Sequence, residues 1–482
     1  MKAPISARSY TENHGHGSII ISLCIVTILC CVPFHAVVAA QTLSPGASFP
    51  VSGKKWTLAF YFAGENSLEN DHVKNLKELC RGVSSVKDAS VVAFMDRDDD
   101  IRLENAFTAW KGSRAFIIDR GFKEVVKNPV VVPVPQSIKH SRFKNILASL
   151  TEESSRKLLA ESYLEKGGRY VLRKRDESTQ ERIRRILTDQ AGYLLPLKGK
   201  AYANLNATKA ETLAAFLSFV KDNFISEHYA LYIAGHGNGW FIEDTPAEGH
   251  GSEYPDEYFK DIEVPMIQDA LMHEPVDVLV LDICFMGDIE TAWALKDTSR
   301  YLVFSQTSLP SMGLDYADLL NGLTGNAVLT PKDVACETVE SYRRTYEKRT
   351  YPVSVSALEL GEDFRSFVLS LQAAASDHER FAALKTAAKE TPHTPSRSSN
   401  RNKMADLVSL VMNVEKTQQP GFMSGISFML SHFSVNTQTK GISIYLPLTG
   451  ELYQQDSEQY AKTYFARDFP EGWVKVLPQL ID

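Results

Sequence analysis

The sequence predicts an α/β fold in which helices cover a largely parallel central sheet. Two observations predict it. Short apolar runs typical of buried strands alternate along the chain with segments whose apolar residues recur at helical spacing. The length of 482 residues, with 44% hydrophobic and 23% charged residues, is ordinary for a globular protein with a substantial core. It accommodates two or three domains or one large elaborated domain.

The first elements of the sheet are predicted near the start of the globular region. The apolar run "KWTLAFYFAG" (Lys55–Gly64) predicts a buried strand, and "SLENDHVKNLKELCRG" predicts an amphipathic helix. Cys80 lies at the end of that helix, where we expect it to be a packing residue. The segment "ASVVAFMDRDDD" predicts the next strand, and "AFTAWKGSRAFIIDRG" predicts a hairpin arm with a turn around Gly112.

Residues from about 122 to 200 interrupt this alternation and are predicted to form a solvated helical insertion. The region contains "VVVPVPQS" and a basic run from Lys166 to Arg185. The alternative is an exposed segment that a trypsin-like protease cuts or that contacts a partner. Few aromatic residues interrupt the run, and the formal net charge of the chain is −7, so nucleic-acid binding has no support.

The alternation resumes after the insertion. A helix is predicted from Thr208 to Phe224, and the strand "HYALYIAGHGNGW" follows it. After a polar loop come the helix "VPMIQDALMHE", the strand "VDVLVLDIC", the helix "GDIETAWALKD" and the strand "YLVFSQTSLP". We predict a core over residues 41–345 and an α+β extension over residues 346–482 that packs on it and includes the strand "GISIYLPLTG".

The first 40 residues are predicted to be an export signal. Lys2 and Arg8 precede an apolar run that ends in small residues at Ala40, where we expect cleavage. The alternative is an uncleaved anchor, since the run approaches the roughly 20 residues that span a bilayer. Either outcome places the body outside the cytoplasm, and a membrane is a partner only if the segment is uncleaved. Cleavage leaves Cys80, Cys284 and Cys336, so at least one thiol has no partner within the chain.

His236 and Cys284 are the candidate catalytic residues. Each ends an apolar strand and has a glycine within the next three residues. Ligands of parallel sheets bind beyond the carboxyl ends of the strands, and 48 residues (284 − 236) provide one crossover between neighbouring strands. A histidine beside a cysteine takes the thiol proton and later protonates a leaving amine. The alternative is that both are structural, as lone buried cysteines and histidines usually are.

Two backbone amides are candidates for stabilising the oxyanion of such a reaction. Those of Gly237 and Cys284 follow the two strands, and one such donor contributes about 3 kcal/mol. Gly235 and Gly237 also allow a sharp turn next to a substrate. A second Gly-His-Gly triplet, centred on His250, lies in a hydrophilic loop without a preceding strand, so we expect it to be a surface feature.

The chain resembles the clostripain-like cysteine peptidases, relatives of caspases, gingipains and legumains. The resemblance covers most of the chain after the leader, in "WTLAFYFAGENSLE", "NLNATKAETLAAFLSFVKDNFISEHYALYIAGHGNGW", "DVLVLDICFMGDIETAWAL" and "KGISIYLP". It implies a caspase-like sheet and a catalytic dyad, here His236 and Cys284. It also implies cleavage after arginine or lysine, with Asp282, two residues before the cysteine, as the acidic group of the pocket. Alternatively, Asp282 only ends a strand or caps the next helix.

One departure from the family pattern concerns this pocket. Family members commonly carry an acidic residue and an aromatic one after the next strand, whereas here "PSMGLDY" places Met312 and Leu314 there. Met312 is therefore expected to line the pocket, which has one of the two expected carboxylates. Asp315 is a nearby substitute for the second.

The resemblance also implies self-cleavage between His236 and Cys284. Lys260 is the only lysine or arginine between them and follows a polar loop, so we predict the cut after Lys260; the alternative is an unprocessed single chain. Calcium dependence occurs in the family, and the acidic run Asp96–Asp100 offers weak ligands, unless those carboxylates are simply solvated. No cofactor is required: zinc-site spacing is absent, and "FAGENSLEN" lacks dinucleotide-site glycines.

The leading hypothesis is an exported cysteine endopeptidase that cleaves protein or peptide substrates after arginine or lysine. Two alternatives remain. One is a non-catalytic caspase-like binding module, which the retained histidine and cysteine argue against. The other is a peptidase with altered, non-basic specificity, which a carboxylate at Asp282 argues against because it would repel an acidic side chain.

Overall fold

The described part of the chain excludes several predicted features. The computed structural model describes residues 51–64, 66–97, 113–118, short stretches between 137 and 183, 206–241, 261–324, 329–395, 402–417 and 423–481. The predicted leader, the His250 triplet and Lys260 lie outside these ranges. Within these ranges, no helix combines the length and apolarity needed to cross a membrane.

An eight-stranded, mostly parallel sheet forms the centre of the protein. Its strands are β1 (Val51–Gly64), β2 (Ala89–Arg97), β3 (Arg114–Ile118), β7 (Phe224–Ala234), β8 (Val276–Asp282), β9 (Ser299–Ser305), β10 (Val353–Glu359) and β12 (Met429–Val435). They are ordered β12-β10-β9-β8-β7-β1-β2-β3. The five inner strands from β9 to β2 are parallel, and β3, β10 and β12 pair antiparallel to their neighbours. The predicted α/β class is confirmed.

Both faces of this sheet are buried, which explains the continuous apolar runs of its inner strands. Along β7, Leu231 and Ile233 belong to one hydrophobic core, and Tyr232 and Ala234 to the other. The same alternation holds in β8. Because side chains of a strand point alternately to the two faces, a strand covered on both sides needs apolar residues at every position.

Helices cover both faces. Helices α1 (Glu69–Gly82), α6 (Tyr316–Gly322) and α7 (Pro331–Tyr346) contribute to one core. Helices that contribute to the other core include α3 (Ala210–Asn223), α4 (Val264–Leu271), α5 (Ile289–Ala294), α8 (Glu362–Ser376), α9 (His378–Lys389), α10 (Leu407–Lys416) and α13 (Trp473–Leu480). The last part also contains α11 (Gly450–Tyr460) and α12 (Tyr464–Asp468). Cys80 is buried in the first core, as predicted.

The predicted helical insertion also contains a small sheet, which corrects the expectation of helix alone. Its described stretches include α2 (Glu153–Ser162) and the strands β4 (Ser137–Lys139), β5 (Tyr163–Lys166) and β6 (Arg169–Leu172). They pair antiparallel in the order β4-β6-β5. Gly167, with φ of +58°, turns the chain between β5 and β6. These strands escaped prediction because they are only three or four residues long and flanked by charges.

Residues after 345 contribute to the central sheet as well as to the extension. Strands β10 and β12 complete one edge of the large sheet, and β11 (Met404–Asp406) pairs antiparallel with β13 (Ser443–Tyr445) in a separate two-stranded sheet. The division at residue 345 stays a prediction.

Candidate active site

His236 and Cys284 lie just beyond the ends of neighbouring parallel strands. In the pairing of β7 with β8, Ala234 is opposite Asp282. His236 lies two positions after Ala234, and Cys284 lies two positions after Asp282. The parallel register therefore brings the two residues to the same level at one edge of the sheet, as the spacing predicted.

The two loops that carry these residues pack directly against each other. A side chain built on Gly237 would place its Cβ 2.4 Å from Ile283 Cγ2 and 2.9 Å from Met286 Cε. A Cβ on Gly239 would lie 2.9 Å from the carbonyl oxygen of Phe285. This close packing explains the glycines after β7. Larger residues would separate the loop that follows β7 and carries His236 (the histidine loop) from the loop that follows β8 and carries Cys284 (the cysteine loop).

The thiol of Cys284 contacts the chain that follows β9. Its Sγ accepts a hydrogen bond from the Leu309 amide at 3.3 Å and donates one to the Leu309 carbonyl at 3.8 Å. Burial raises the pKa of the Cys284 thiol to about 11; the Leu309 amide opposes the shift, and the nearby carboxylates of Asp282 and Asp261 add to it. In this state the thiol is protonated at neutral pH.

The imidazole of His236 contacts a residue that sequence analysis did not select. Its Nε2 lies 2.9 Å from Ser67 Oγ, in the loop between β1 and α1, and its backbone carbonyl accepts from the Ile262 amide at 2.8 Å. His72 lies close enough for the two rings to affect each other, but burial is the main reason that the His72 pKa falls to about 4. Because β1 is the sheet neighbour of β7, its carboxyl end reaches the same edge, and that topology was the missing signal.

The two predicted oxyanion donors, the amides of Gly237 and Cys284, lie in the loops that follow β7 and β8. Among the residues that the structure describes, neither the Gly237 amide nor the Cys284 amide donates a hydrogen bond to another protein group. The neighbouring amide of Phe285, by contrast, donates to the Thr307 carbonyl at 3.1 Å. Backbone amides without a protein acceptor are suited to binding a developing negative charge.

Asp282 ends β8 as a buried, hydrogen-bonded carboxyl group. Its Oδ1 accepts from the Tyr342 hydroxyl at 2.6 Å, and its Oδ2 accepts from the Tyr316 hydroxyl at 2.9 Å and the Leu314 amide at 3.0 Å. Gly313, with φ of +54°, passes so close that a Cβ would lie 2.4 Å from Oδ2. Burial raises the pKa of Asp282, and these three donors limit the rise.

Met312 and Leu314, which stand where the family pattern has other residues, and the nearby Asp315 lie in different surroundings. Met312 is partly exposed on the wall of a cleft of about 430 Å³, where its sulfur accepts from Arg349 Nη1 at 3.2 Å. Leu314 is buried in the core. Asp315 caps α6 by accepting from the amides of Ala317 and Asp318, so its carboxylate is engaged by the helix.

The acidic run considered for calcium is described only in part. Asp96 is buried and accepts from Ser113 Oγ at 2.5 Å and from the Ala207 amide at 3.2 Å, and Asp98–Asp100 lie outside the described residues. In the described ranges, no cluster of three or more histidine, cysteine, aspartate or glutamate side chains is arranged to hold a metal ion.

A comparison with protein families decides the classification. The profile of the clostripain family, peptidase family C11, matches residues 60–470. The chain belongs to the clostripain family. The resemblance seen in the sequence is thereby confirmed, and this clostripain-family protein is a cysteine peptidase. No curated protein sequence matches it significantly.

Solved structures of other family members share the fold. An inactive zymogen C11 protease from Parabacteroides distasonis has a TM-score of 0.53 and 14% identity, covering 87% of this chain and 99% of that one. A secreted C11 cysteine protease from Bacteroides thetaiotaomicron, in complex with an irreversible peptide inhibitor, has a TM-score of 0.51 and 15% identity, covering 85% and 99%. The predicted caspase-like fold is confirmed.

Proposed function

We propose that this clostripain-family protein is an exported endopeptidase that cleaves after arginine or lysine, with His236 and Cys284 as its catalytic dyad. The observation that carries the proposal is the pairing of Ala234 with Asp282, which puts both residues at one level of the sheet edge. Within the part of the chain that the structure describes, the amides of Gly237 and Cys284 have no protein acceptor, so both are available as the oxyanion donors that acyl transfer requires.

The proposed reaction proceeds by acyl transfer. His236 takes the proton of Cys284, and the sulfur attacks the carbonyl carbon while the oxyanion binds the amides of Gly237 and Cys284. The imidazolium then protonates the leaving amine as the C–N bond breaks. In the second half, His236 deprotonates a water molecule that attacks the thioester carbonyl; the C–S bond then breaks, the carboxyl product leaves, and the imidazolium returns a proton to the sulfur.

We further propose that the intact chain is a zymogen. With a pKa of about 11, roughly one Cys284 thiol in ten thousand is ionised at pH 7. Asp261, which follows the proposed cut, is one of the carboxylates that raise this pKa, and Ile262 is bound to the His236 carbonyl. Cutting the Lys260–Asp261 bond would remove the Asp261 contribution to the raised pKa, which is smaller than that of burial, and would favour the thiolate to that extent.

Replacing Lys260 with alanine is expected to leave the purified chain uncut, whereas wild type separates into two fragments. The basic side chain that the pocket would bind is missing in the variant. Gel electrophoresis and intact mass spectrometry measure this, and Lys260→Arg, which keeps the charge, should still be cut. Cleavage of Lys260→Ala at the same bond would refute the proposed site, and an uncut wild type would refute self-processing.

A panel of fluorogenic peptides with arginine, lysine, asparagine or aspartate before the cleaved bond tests the proposed specificity. The processed enzyme is expected to turn over the two basic substrates at least about 100-fold faster than the others, as a charge-pairing pocket would. A preference for asparagine or aspartate would support the altered-specificity alternative. No turnover of any peptide under reducing conditions would support the binding module.

The proposed export depends on the leader, and one of the two similar structures is of a secreted protease. The proposed partners are protein or peptide substrates, with a membrane involved only if residues 1–40 remain attached. No proposed step requires calcium, and its binding stays a prediction for the part of the acidic run outside the described residues.

A further inference from the structure

The cleft beside the cysteine loop contains a carboxylate that sequence analysis did not select. Helix α1 forms one wall of this cleft, and residues 310–312 form the other. Leu309, which exchanges hydrogen bonds with Cys284 Sγ, immediately precedes those residues. The cleft therefore begins one residue after the thiol's own contact in the chain.

Three charged side chains of α1 line this cleft. Asp71 Oδ1 accepts from Lys74 Nζ at 2.7 Å, so these two charges compensate each other. The Glu78 side chain is 17% exposed, and its Oε1 lies 3.3 Å from Nη2 of Arg81, whose own side chain is 66% exposed. Glu78 Oε2 accepts from the Tyr316 amide at 3.2 Å, which orients the carboxylate.

The two carboxylates expected to bind a basic side chain are engaged elsewhere. Asp282 is buried among two tyrosine hydroxyls and a backbone amide, and Asp315 caps a helix. Neither lines the cleft, whereas Glu78 does. Across the cleft, Met312 and Tyr351 expose apolar surface on which the aliphatic stem of an arginine or lysine can pack.

We propose that Glu78 binds the cationic end of the substrate residue that precedes the cleaved bond, and thereby determines specificity. This inference rests on the proposed preference for arginine or lysine. The competing cation, Arg81, has a side chain that is 66% exposed, so its ion pair with Glu78 is weak. A substrate guanidinium would meet the same carboxylate in a partly enclosed cleft, where the attraction is stronger.

The protonation of Glu78 gives the proposal a pH signature. Burial, with Asp315 next, raises the Glu78 pKa to about 7, so the group is neutral below that pH and charged above it. Among the described residues, the titratable and charged groups that interact with it include Arg81, Asp282, Asp315, Tyr316 and Tyr346, and Asp71 and Lys74 line the same cleft. The attraction of a cationic substrate is therefore expected to appear as the pH rises through about 7 and to disappear as it falls.

The test compares peptides with arginine or its neutral isostere citrulline before the cleaved bond. The ratio of their kcat/KM values removes the effect of catalytic ionisations common to both. In the processed wild type this ratio should rise as the pH passes about 7. In Glu78→Gln it should be about 10- to 100-fold lower at about pH 8 and independent of pH, with citrulline turnover within about two-fold of wild type.

The controls separate a failure of this inference from a failure of the proposed function. Glutamine keeps an oxygen for the Tyr316 amide, and citrulline turnover reports a folded enzyme. Glu340→Gln removes an equivalent i,i+3 ion pair, with Arg343, and should behave as wild type. An arginine preference that survives in Glu78→Gln overturns this inference alone. If the preference is instead lost in Asp282→Asn, Asp282 is the residue that binds the substrate cation. A wild type without any arginine preference overturns the proposed specificity itself.

Discussion

Replacing Cys284 with alanine is expected to abolish both peptide turnover and cleavage after Lys260. The variant lacks the nucleophile, and removing the nucleophile of a hydrolase lowers kcat by about 10⁴- to 10⁶-fold. A fluorogenic assay under reducing conditions measures turnover, and intact mass spectrometry measures cleavage. The fold should persist, because alanine removes only a thiol whose hydrogen bonds go to the Leu309 backbone.

Cys336 provides the matched control for this experiment. It is a partly buried thiol on α7, and burial raises its pKa as it does that of Cys284. Cys336→Ala should therefore retain wild-type turnover and processing. Turnover that survives in Cys284→Ala would exclude the dyad, and a loss in Cys336→Ala alone would transfer the reaction to the other thiol.

Replacing Gly287 with alanine is expected to destabilise the protein by about 2–4 kcal/mol, more than most single substitutions. The new Cβ would lie 2.6 Å from the Gln306 amide nitrogen and 2.7 Å from both Gln306 Cα and the Ser305 carbonyl carbon. These are backbone atoms, so no side chain can move aside. The Gly287 amide also donates to the Ser305 carbonyl at 2.7 Å, and the strain would reach the cysteine loop.

Thermal unfolding in the Cys284→Ala background measures this effect without self-cleavage. Gly450→Ala is the matched control, because a Cβ there meets nothing within 4 Å. It should leave the melting temperature unchanged or raise it slightly. Equal melting of the two variants would mean that the cysteine loop and the end of β9 are not in the close contact described.

Much of the fold follows from local patterns. The strands β7 and β8 were predictable because burial on both faces requires continuous apolar runs, and each run ends at a candidate catalytic residue. The antiparallel edge formed by β10 and β12 was not predictable, because three helices and a further strand separate the two strands in the chain. The short strands β4, β5 and β6 carried too few apolar residues to be recognised.

The residues of the candidate site also divide into those that the sequence predicted and those that it did not. Its two central residues, His236 and Cys284, were selected from strand ends and spacing alone. Ser67 and Glu78 were not, since they are 169 and 238 residues away from their partners His236 and Tyr316 in the chain. No periodicity links positions so far apart.

The amino-acid sequence alone determined the inner strands β1, β2, β7, β8 and β9, and that an imidazole and a thiol follow two of them. Those properties depend on burial and backbone conformation over a few neighbouring residues. Only the tertiary structure decided that Asp282 lies beneath two tyrosines and that Glu78 faces the cleft. The strand order and the packing of α1, α6 and α7 on the sheet select which distant side chains meet, and the same local sequence is compatible with several such arrangements.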